Sequence, residues 1–338
     1  MQTGSTTRLA GRYRLISVLG TGGSARVHLA ADPDDRLVAI KILDREQARN
    51  PEAVRRFERE AAIAARVRHR NVVRVLESGF HHDLPFLVME WVPGRSLGAH
   101  LAEHGPLPVA EALPLMRQIL AGLDEVHRQR VLVLDLKPGN VIVERRTGVP
   151  RIVDFGAASV VGESYLIDGD HVAGTPPYMA PEQRAGAPVG PPADIYAVGV
   201  ILHEMLTGLR PESPREVDAS DLPPALAVVI QRAIAADPLD RFASVWEFSR
   251  ALDDAATLAR PTNTTASLPR VRAAVPRRNQ PAALRVAAAN FERAMAGVEQ
   301  LTERFERFTW TVAGWRGLLV VALLVLLLAG LAEHALAP

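Results

Sequence analysis

Only two lysines occur in the 338 residues, Lys41 and Lys137, although lysine and arginine together number 39. A chain that uses arginine almost everywhere retains lysine where a planar fork works badly. Lysine is a compact point charge on a thin stem and can slip between phosphate oxygens in a narrow pocket. Lys41 ends the run VAIK from Val38, and Lys137 lies in DLKPGN from Asp135. Ahead of Lys41 stands a glycine-rich stretch, Leu19, Gly20, Thr21, Gly22, Gly23, Ser24 and Ala25, continuing to Val27. Glycines there let backbone N–H groups approach a phosphate without side-chain obstruction. Alone, such a stretch is also an ordinary hairpin turn. Followed by Lys41 in a strand, and by Glu60 one helix further on as an ion-pair partner for it, the pattern is more specific. Asp135, Lys137, Asn140 and Asp154 then bracket two short apolar segments, VIV and the residues before DFG.

Those residues need a scaffold, and the patterning supplies one. From Tyr13, YRLISVLGTGGSARVHLAAD reads as strand, turn, strand, and LVAIKIL reads as a third strand. Pro51 to Arg68 carries Val54, Phe57, Ala61 and Ala64 at helical spacing, with Pro51 suited to the first turn. VVRVLESGF and PFLVMEWV read as two further strands. Beyond them come long helical stretches, VAEALPLMRQILAGLDEVHRQ and PPADIYAVGVILHEMLTG. A small strand-rich lobe followed by a larger helical lobe is an α+β architecture.

Composition narrows the chemistry. With 48% hydrophobic and 23% charged residues a folded globular core is expected. The absence of cysteine excludes disulfides, thiolate nucleophiles and cysteine-based metal sites, and fits folding in a reducing compartment. A net charge of +1 gives nucleic acid no claim as a partner. The N-terminal MQTGSTTRLAGRYR has no apolar stretch behind its basic residues and does not read as a secretory signal.

Past Asp254 the character changes. Residues 255–281, rich in Pro, Thr and Arg, read as a linker. Residues 282–309 carry Phe291, Met295, Val298, Leu301, Phe305 and Phe308 on one helical stripe, which calls for a partner helix, such as that of a second copy in a homodimer, or for the membrane interface. Residues 312–332 read as a transmembrane helix, with Trp310, Trp315 and Arg316 at the interface and uncharged Gly317 to Ala332 within membrane lipid. Arginines precede this run and none follows it, so its N-terminal side is expected in the cytoplasm of a single-pass protein of the cell membrane.

The ordered set LGTGGSARV, VAIK, Glu60, DLKPGN, DFG, Gly174–Thr175, APE and DIYAVG resembles the bacterial Hanks-type serine/threonine protein kinases over residues 12–254. That resemblance implies the bilobal protein-kinase fold, with ATP as cofactor, Mg²⁺ (or Mn²⁺) as metal, and proteins as substrates. It assigns Asp135 to accept the proton of the attacking hydroxyl and Lys137 to touch the γ-phosphate. It assigns Lys41, held by Glu60, to the α- and β-phosphates, and Asn140 and Asp154 to the metal. The glycine-rich stretch, Ala39 and the hinge from Met89 through Glu90 to Val92 would line the nucleotide pocket, with Met89 as gatekeeper. Glu182 and Arg241 resemble the family's structural ion pair.

Three departures stand out. Ala25 replaces the loop's third glycine. Val133 and Leu134 replace the usual His and Arg ahead of Asp135, so a phosphorylated loop has no arginine there to pair with. The loop itself offers Ser159, Ser164 and Tyr165 and no threonine before Gly174. The stretch between Gly208 and Leu222, where relatives carry a substrate-docking region, is short. A pseudokinase serving as a membrane-bound binding module is the alternative that Val133 and Leu134 motivate.

Overall fold

The computed structural model describes residues 8–161, 166–167, 171–172, 174–211, 213–217 and 222–258. The amphipathic segment 282–309 and the apolar run 312–332 lie outside the described residues. Among the described residues no helix is long and apolar enough to cross a membrane.

The first lobe is one antiparallel sheet. Its strands are β1 (Arg8–Leu9), β2 (Tyr13–Thr21), β3 (Ala25–Ala31), β4 (Leu37–Leu43), β5 (Val75–His81) and β6 (Leu84–Glu90), and they lie in the order β1-β2-β3-β4-β6-β5. Period-2 alternation sends Val38, Ile40, Phe86 and Val88 to one face, where Leu9 and Tyr13 close over them. Ala39, Leu87 and Met89 go to the other face, against helix α1 (Pro51–Ala64). The Asn50 side chain accepts the Glu52 N–H and caps that helix, an interaction typically worth about 1 kcal/mol. Phe57, Glu60, Ala61 and Ala64 then share its buried stripe. The helix ends at Ala64 rather than Arg68, because the chain turns there and buries Val67 in the second lobe's core.

The second lobe begins with β7 (Gly94–Ser96) and α2 (Leu97–His104), followed by α3 (Val109–Arg128) and β8 (Val131–Leu132). The hairpin β9 (Val141–Glu144) and β10 (Pro150–Ile152) pairs with β7, while β11 (Ser159–Val160) pairs with β8. A short hairpin of β12 (Leu166–Ile167) and β13 (His171–Val172) follows. Helices α4 (Pro181–Arg184), α5 (Pro191–Thr207), α6 (Pro224–Ala233) and α7 (Val245–Leu258) complete it. Helix α5 is apolar nearly all round and is buried accordingly. Gly199 is the contact point of α5 with the end of α6, where a Cβ would stand 2.8 Å from those of Ala233's methyl and Ile234's Cγ2.

Leu252 and Ala255, three apart on one helical face, are both buried, and helix α7 runs past Asp254 to Leu258, so residues 255–258 at the head of the expected linker are helix. Between Gly208 and Leu222 the described residues contain a single 3-10 turn, Pro214–Glu216, and no α-helix.

Candidate active site

Lys41 lies mid-strand in β4, opposite Val27 of β3 and Leu87 of β6. The strand pair fixes its stem, and Glu60 of α1 fixes its head at 2.6 Å. Asp154 Oδ1 reaches the same ammonium at 3.1 Å and also accepts the Gly156 N–H at 3.0 Å. Burial alone would lower the Lys41 pKa, but the Glu60 and Asp154 carboxylates outweigh it and hold the ammonium above its ordinary value. Asp154 goes below its ordinary value: burial opposes this, and the charge and hydrogen bond of Lys41, with the Gly156 N–H and the charge of Lys137, overcome it. Glu60 goes the other way, raised first by burial and further by the second carboxylate sharing its lysine.

Asp135 follows β8 through a tight, fully bonded turn. The Val133 and Leu134 N–H groups donate to the two oxygens of buried Asp194, at 2.9 and 2.8 Å. Lys137 Nζ donates to Asp135 Oδ2 at 2.8 Å and to Thr175 Oγ1 at 2.6 Å, and the Thr175 hydroxyl donates to Asp135 Oδ1 at 2.5 Å. Asn140 closes the 3-10 turn Pro138–Asn140, and its amide N–H₂ donates to the Asp135 carbonyl at 3.0 Å and to Oδ2 at 3.3 Å. Its amide oxygen is the atom left uncommitted by that bond. An amide oxygen and a carboxylate held in the ionised form are the hard donors a divalent cation such as Mg²⁺ prefers.

Above these groups lies an apolar layer. Ala39, Met89 and Val92, all buried, meet Val27 from β3, and Ile142 of β9 and Val153 pack against the same cluster from below. Ile142 and Val153 were not singled out from sequence, because alternation in a strand does not tell which face will meet another lobe. Ala25 is buried in this cluster, so its methyl points into protein and leaves the turn unobstructed. Leu19 is about half exposed on β2. A Cβ on Gly20 or Gly23 would meet nothing within 4 Å, and neither glycine has a positive φ. The protein itself therefore gives no reason for glycine at these positions, whereas a phosphate chain lying against the backbone would. Thr21 and Ser24 sit exposed on either side of Gly22, whose N–H donates to the Ala25 carbonyl. Glu90 Oε1 accepts the Arg74 N–H at 3.0 Å and Arg151 Nη1 at 2.5 Å, and the Glu90 N–H donates to the Arg74 carbonyl at 2.9 Å, which fixes the start of the hinge.

The protein kinase domain family matches residues 13–238. The chain belongs to the protein kinase family. It is 34% identical over 253 residues to the serine/threonine-protein kinase PrkC of Bacillus subtilis, a match that takes in 70% of this chain and 39% of that protein. With the serine/threonine-protein kinase PksC of Streptomyces coelicolor the identity is 38% over 264 residues, covering 69% of this chain and 47% of the relative. The matched region thus spans less than half the length of either relative. Among solved structures, a double-mutant form of the Mycobacterium tuberculosis PknI kinase domain superposes with a TM-score of 0.61 at 30% identity, covering 76% of this chain and all of that one. Both of those relatives, PrkC and PksC, are serine/threonine-protein kinases.

Within that kinase fold the departures acquire locations. Val133 and Leu134 are buried in the second lobe's core, and Leu134 adopts a left-handed φ of 61°. Ser159, counted from sequence among the loop hydroxyls, is 2% exposed in β11 with Arg59 Nη2 at 3.4 Å, so it is not an open phosphorylation site. Ser164 and Tyr165 lie outside the described residues. Glu182 and Arg241 form a bidentate pair at 2.8 and 2.7 Å, with the Arg241 side chain fully buried.

Proposed function

We propose that this chain is a serine/threonine protein kinase that transfers the γ-phosphoryl group of ATP, with Mg²⁺ or Mn²⁺, to protein hydroxyls, and that it works in signalling from the cytoplasmic face of the cell membrane. The observation that carries the enzymatic reading is that each lysine is bonded to one of two neighbouring carboxylates, Lys41 to Asp154 at 3.1 Å and Lys137 to Asp135 at 2.8 Å, with Asn140 bonded both to Asp135 and to the Val153 N–H just before Asp154. The two scarce lysines therefore serve one site.

Each group has a task there. Lys41, kept charged and braced by Glu60, binds the α- and β-phosphate oxygens. The apolar layer of Val27, Ala39, Met89, Val92 and Ile142 takes the adenine and excludes water from it. Asp154 and Asn140 hold the metal, which when bound neutralises phosphate charge. Asp135 already accepts a hydrogen bond from the Thr175 hydroxyl, the geometry required to orient a substrate hydroxyl. Lys137, shared between Asp135 and Thr175, stands beside the reacting group and stabilises charge in transfer. The binding-module alternative rested on Val133 and Leu134, and neither replacement removes a group that binds nucleotide or metal.

Tethering by residues 312–332 and self-association through residues 282–309, in membrane lipid and in a homodimer, rest on sequence pattern. The proposed activity is tested by incubating the purified chain with γ-labelled ATP, Mg²⁺ and a generic protein substrate, followed by phosphoamino-acid analysis. Label on serine or threonine supports the reading, and label confined to tyrosine, or none above an Asp135→Asn control, overturns it. Membrane fractionation of the full chain against one truncated after residue 281 tests the tether; equal recovery in the soluble fraction would refute it.

A further inference from the structure

Residue 134 separates the two halves of the problem this kinase has to solve. With leucine there, nothing at that position can bind a loop phosphate, yet the catalytic loop and the end of the activation segment still have to be joined. The described residues join them through Gln183. Its side chain is 2% exposed, and its Nε2 donates to the Leu134 carbonyl at 2.7 Å. That carbonyl belongs to the peptide group leading into Asp135, whose own N–H donates to the Val133 carbonyl at 2.9 Å. On the other side of Leu134, both preceding N–H groups are held by Asp194. The left-handed turn at Leu134 is thus tied at every polar backbone group, and a left-handed leucine persists only where its surroundings enforce it.

Gly174 completes the arrangement. At φ +131° it lies so close that a Cβ would stand 2.9 Å from Gln183 Nε2 and Met179 Cε and 3.0 Å from the Leu134 oxygen. The next residue, Thr175, carries the hydroxyl bonded to Asp135 and Lys137. Gln183 therefore packs against the backbone on both sides of the catalytic carboxylate: the loop that bears Asp135 and the segment that bears Thr175.

We infer that Gln183 is a positioning residue, a neutral, phosphate-independent clamp that holds the catalytic loop to the end of the activation segment and so does the work otherwise left to an arginine and a phosphate. This rests on the kinase reading above. An amide suits the task because it is uncharged when buried and donates to a carbonyl at any physiological pH. Gln183→Leu keeps the bulk and removes the donor, leaving a buried carbonyl unpaired. Gln183→Glu replaces the donor with a carboxylate that donates only when protonated.

The test uses the full chain and these two variants, with ATP affinity by titration as the check on folding. Steady-state kinetics on phosphatase-treated protein should show kcat reduced at least tenfold in Gln183→Leu with the KM for ATP within twofold of the parent. Gln183→Glu should recover activity as pH falls. Hydrogen exchange in the peptide 131–137 should be faster in both variants, and this readout does not depend on turnover. A parent protein without phosphotransfer would overturn the kinase reading, while the exchange difference would still decide the clamp. Unchanged exchange, or a kcat within twofold of the parent in Gln183→Leu that still binds ATP, would overturn the clamp, as would loss of parent activity on phosphatase treatment.

Discussion

Asp154 Oδ1 stands 3.1 Å from the ammonium of Lys41, and Glu60 holds the same ammonium at 2.6 Å from the opposite lobe element. One lysine thus ties helix α1, strand β4 and the segment after β10 together before any nucleotide is present. Sharing one cation between two carboxylates splits their titration, with Asp154 kept ionised and Glu60 pushed upward by burial.

Removing the cation should damage binding and fold at once. Lys41→Met is expected to lower kcat/KM for ATP by about a hundredfold or more, the scale of losing one preorganised charge. It also leaves Glu60 and Asp154 without their shared cation, so Glu60, already raised by burial and by Asp154, should be raised further. A carboxyl whose folded pKa is raised stabilises the fold more as pH falls, so calorimetry should show the variant's melting temperature rising more steeply than the parent's on acidification, and equal slopes would contradict this.

Much of this was legible in sequence. Lys41, Asp135, Lys137, Asn140 and Asp154 are polar residues inside apolar, strand-like surroundings, and their order along the chain resembles one family. The glycine-rich turn and its flanking strands followed from alternation and glycine placement. What sequence did not show depends on which surfaces meet. Ile142 and Val153 look like any other strand residues until the two lobes are apposed. Asp194 and Gln183 act on backbone groups roughly fifty to sixty positions away in the chain. Ser159 reads as an available hydroxyl and proves to be enclosed by its pairing with Leu132.

The tyrosines give an alkaline signature. Burial and the Glu77 carboxylate push Tyr13 up to about 12, burial and the Glu204 carboxylate push Tyr178 higher, and burial raises Tyr196. A phenol whose folded pKa lies above its unfolded value retains its proton preferentially when folded. Its contribution is complete below about pH 10 and is lost as pH rises through the folded value. Ultraviolet titration should find at most one of the four tyrosines ionising near pH 10, the others ionising only as the protein unfolds. Ordinary titration of all four in folded protein would contradict this.

The Glu182–Arg241 pair is structural, so breaking it should be felt as stability. Glu182→Gln leaves a fully buried guanidinium with half its charge-assisted bonds, though the carbonyls of Ala235, Pro192 and Ala236 still hold it. A loss of about 3 kcal/mol is expected, a melting shift on the order of 10 °C. The KM for ATP at a temperature where the variant is folded should be unaltered, which differential scanning fluorimetry and kinetics together would check.

The two lysines should fail in different ways. Lys137 touches Asp135 and Thr175 and makes no bond to Glu60 or to the apolar layer among the described residues. Lys137→Arg is expected to lower kcat roughly tenfold to a hundredfold with the KM for ATP within about twofold. The reverse split, with KM raised and kcat kept, would show that the residue binds ATP instead of acting on the group in transit.

The central claim is a complete phosphoryl-transfer site that operates without a loop phosphate. Its most direct test is the turnover of ATP by phosphatase-treated protein with Mg²⁺ and a protein substrate, beside an Asp135→Asn control treated alike. Turnover that survives phosphatase treatment and disappears in Asp135→Asn is the expected result; equal signals from the two proteins, or activity lost with the phosphates, would contradict it.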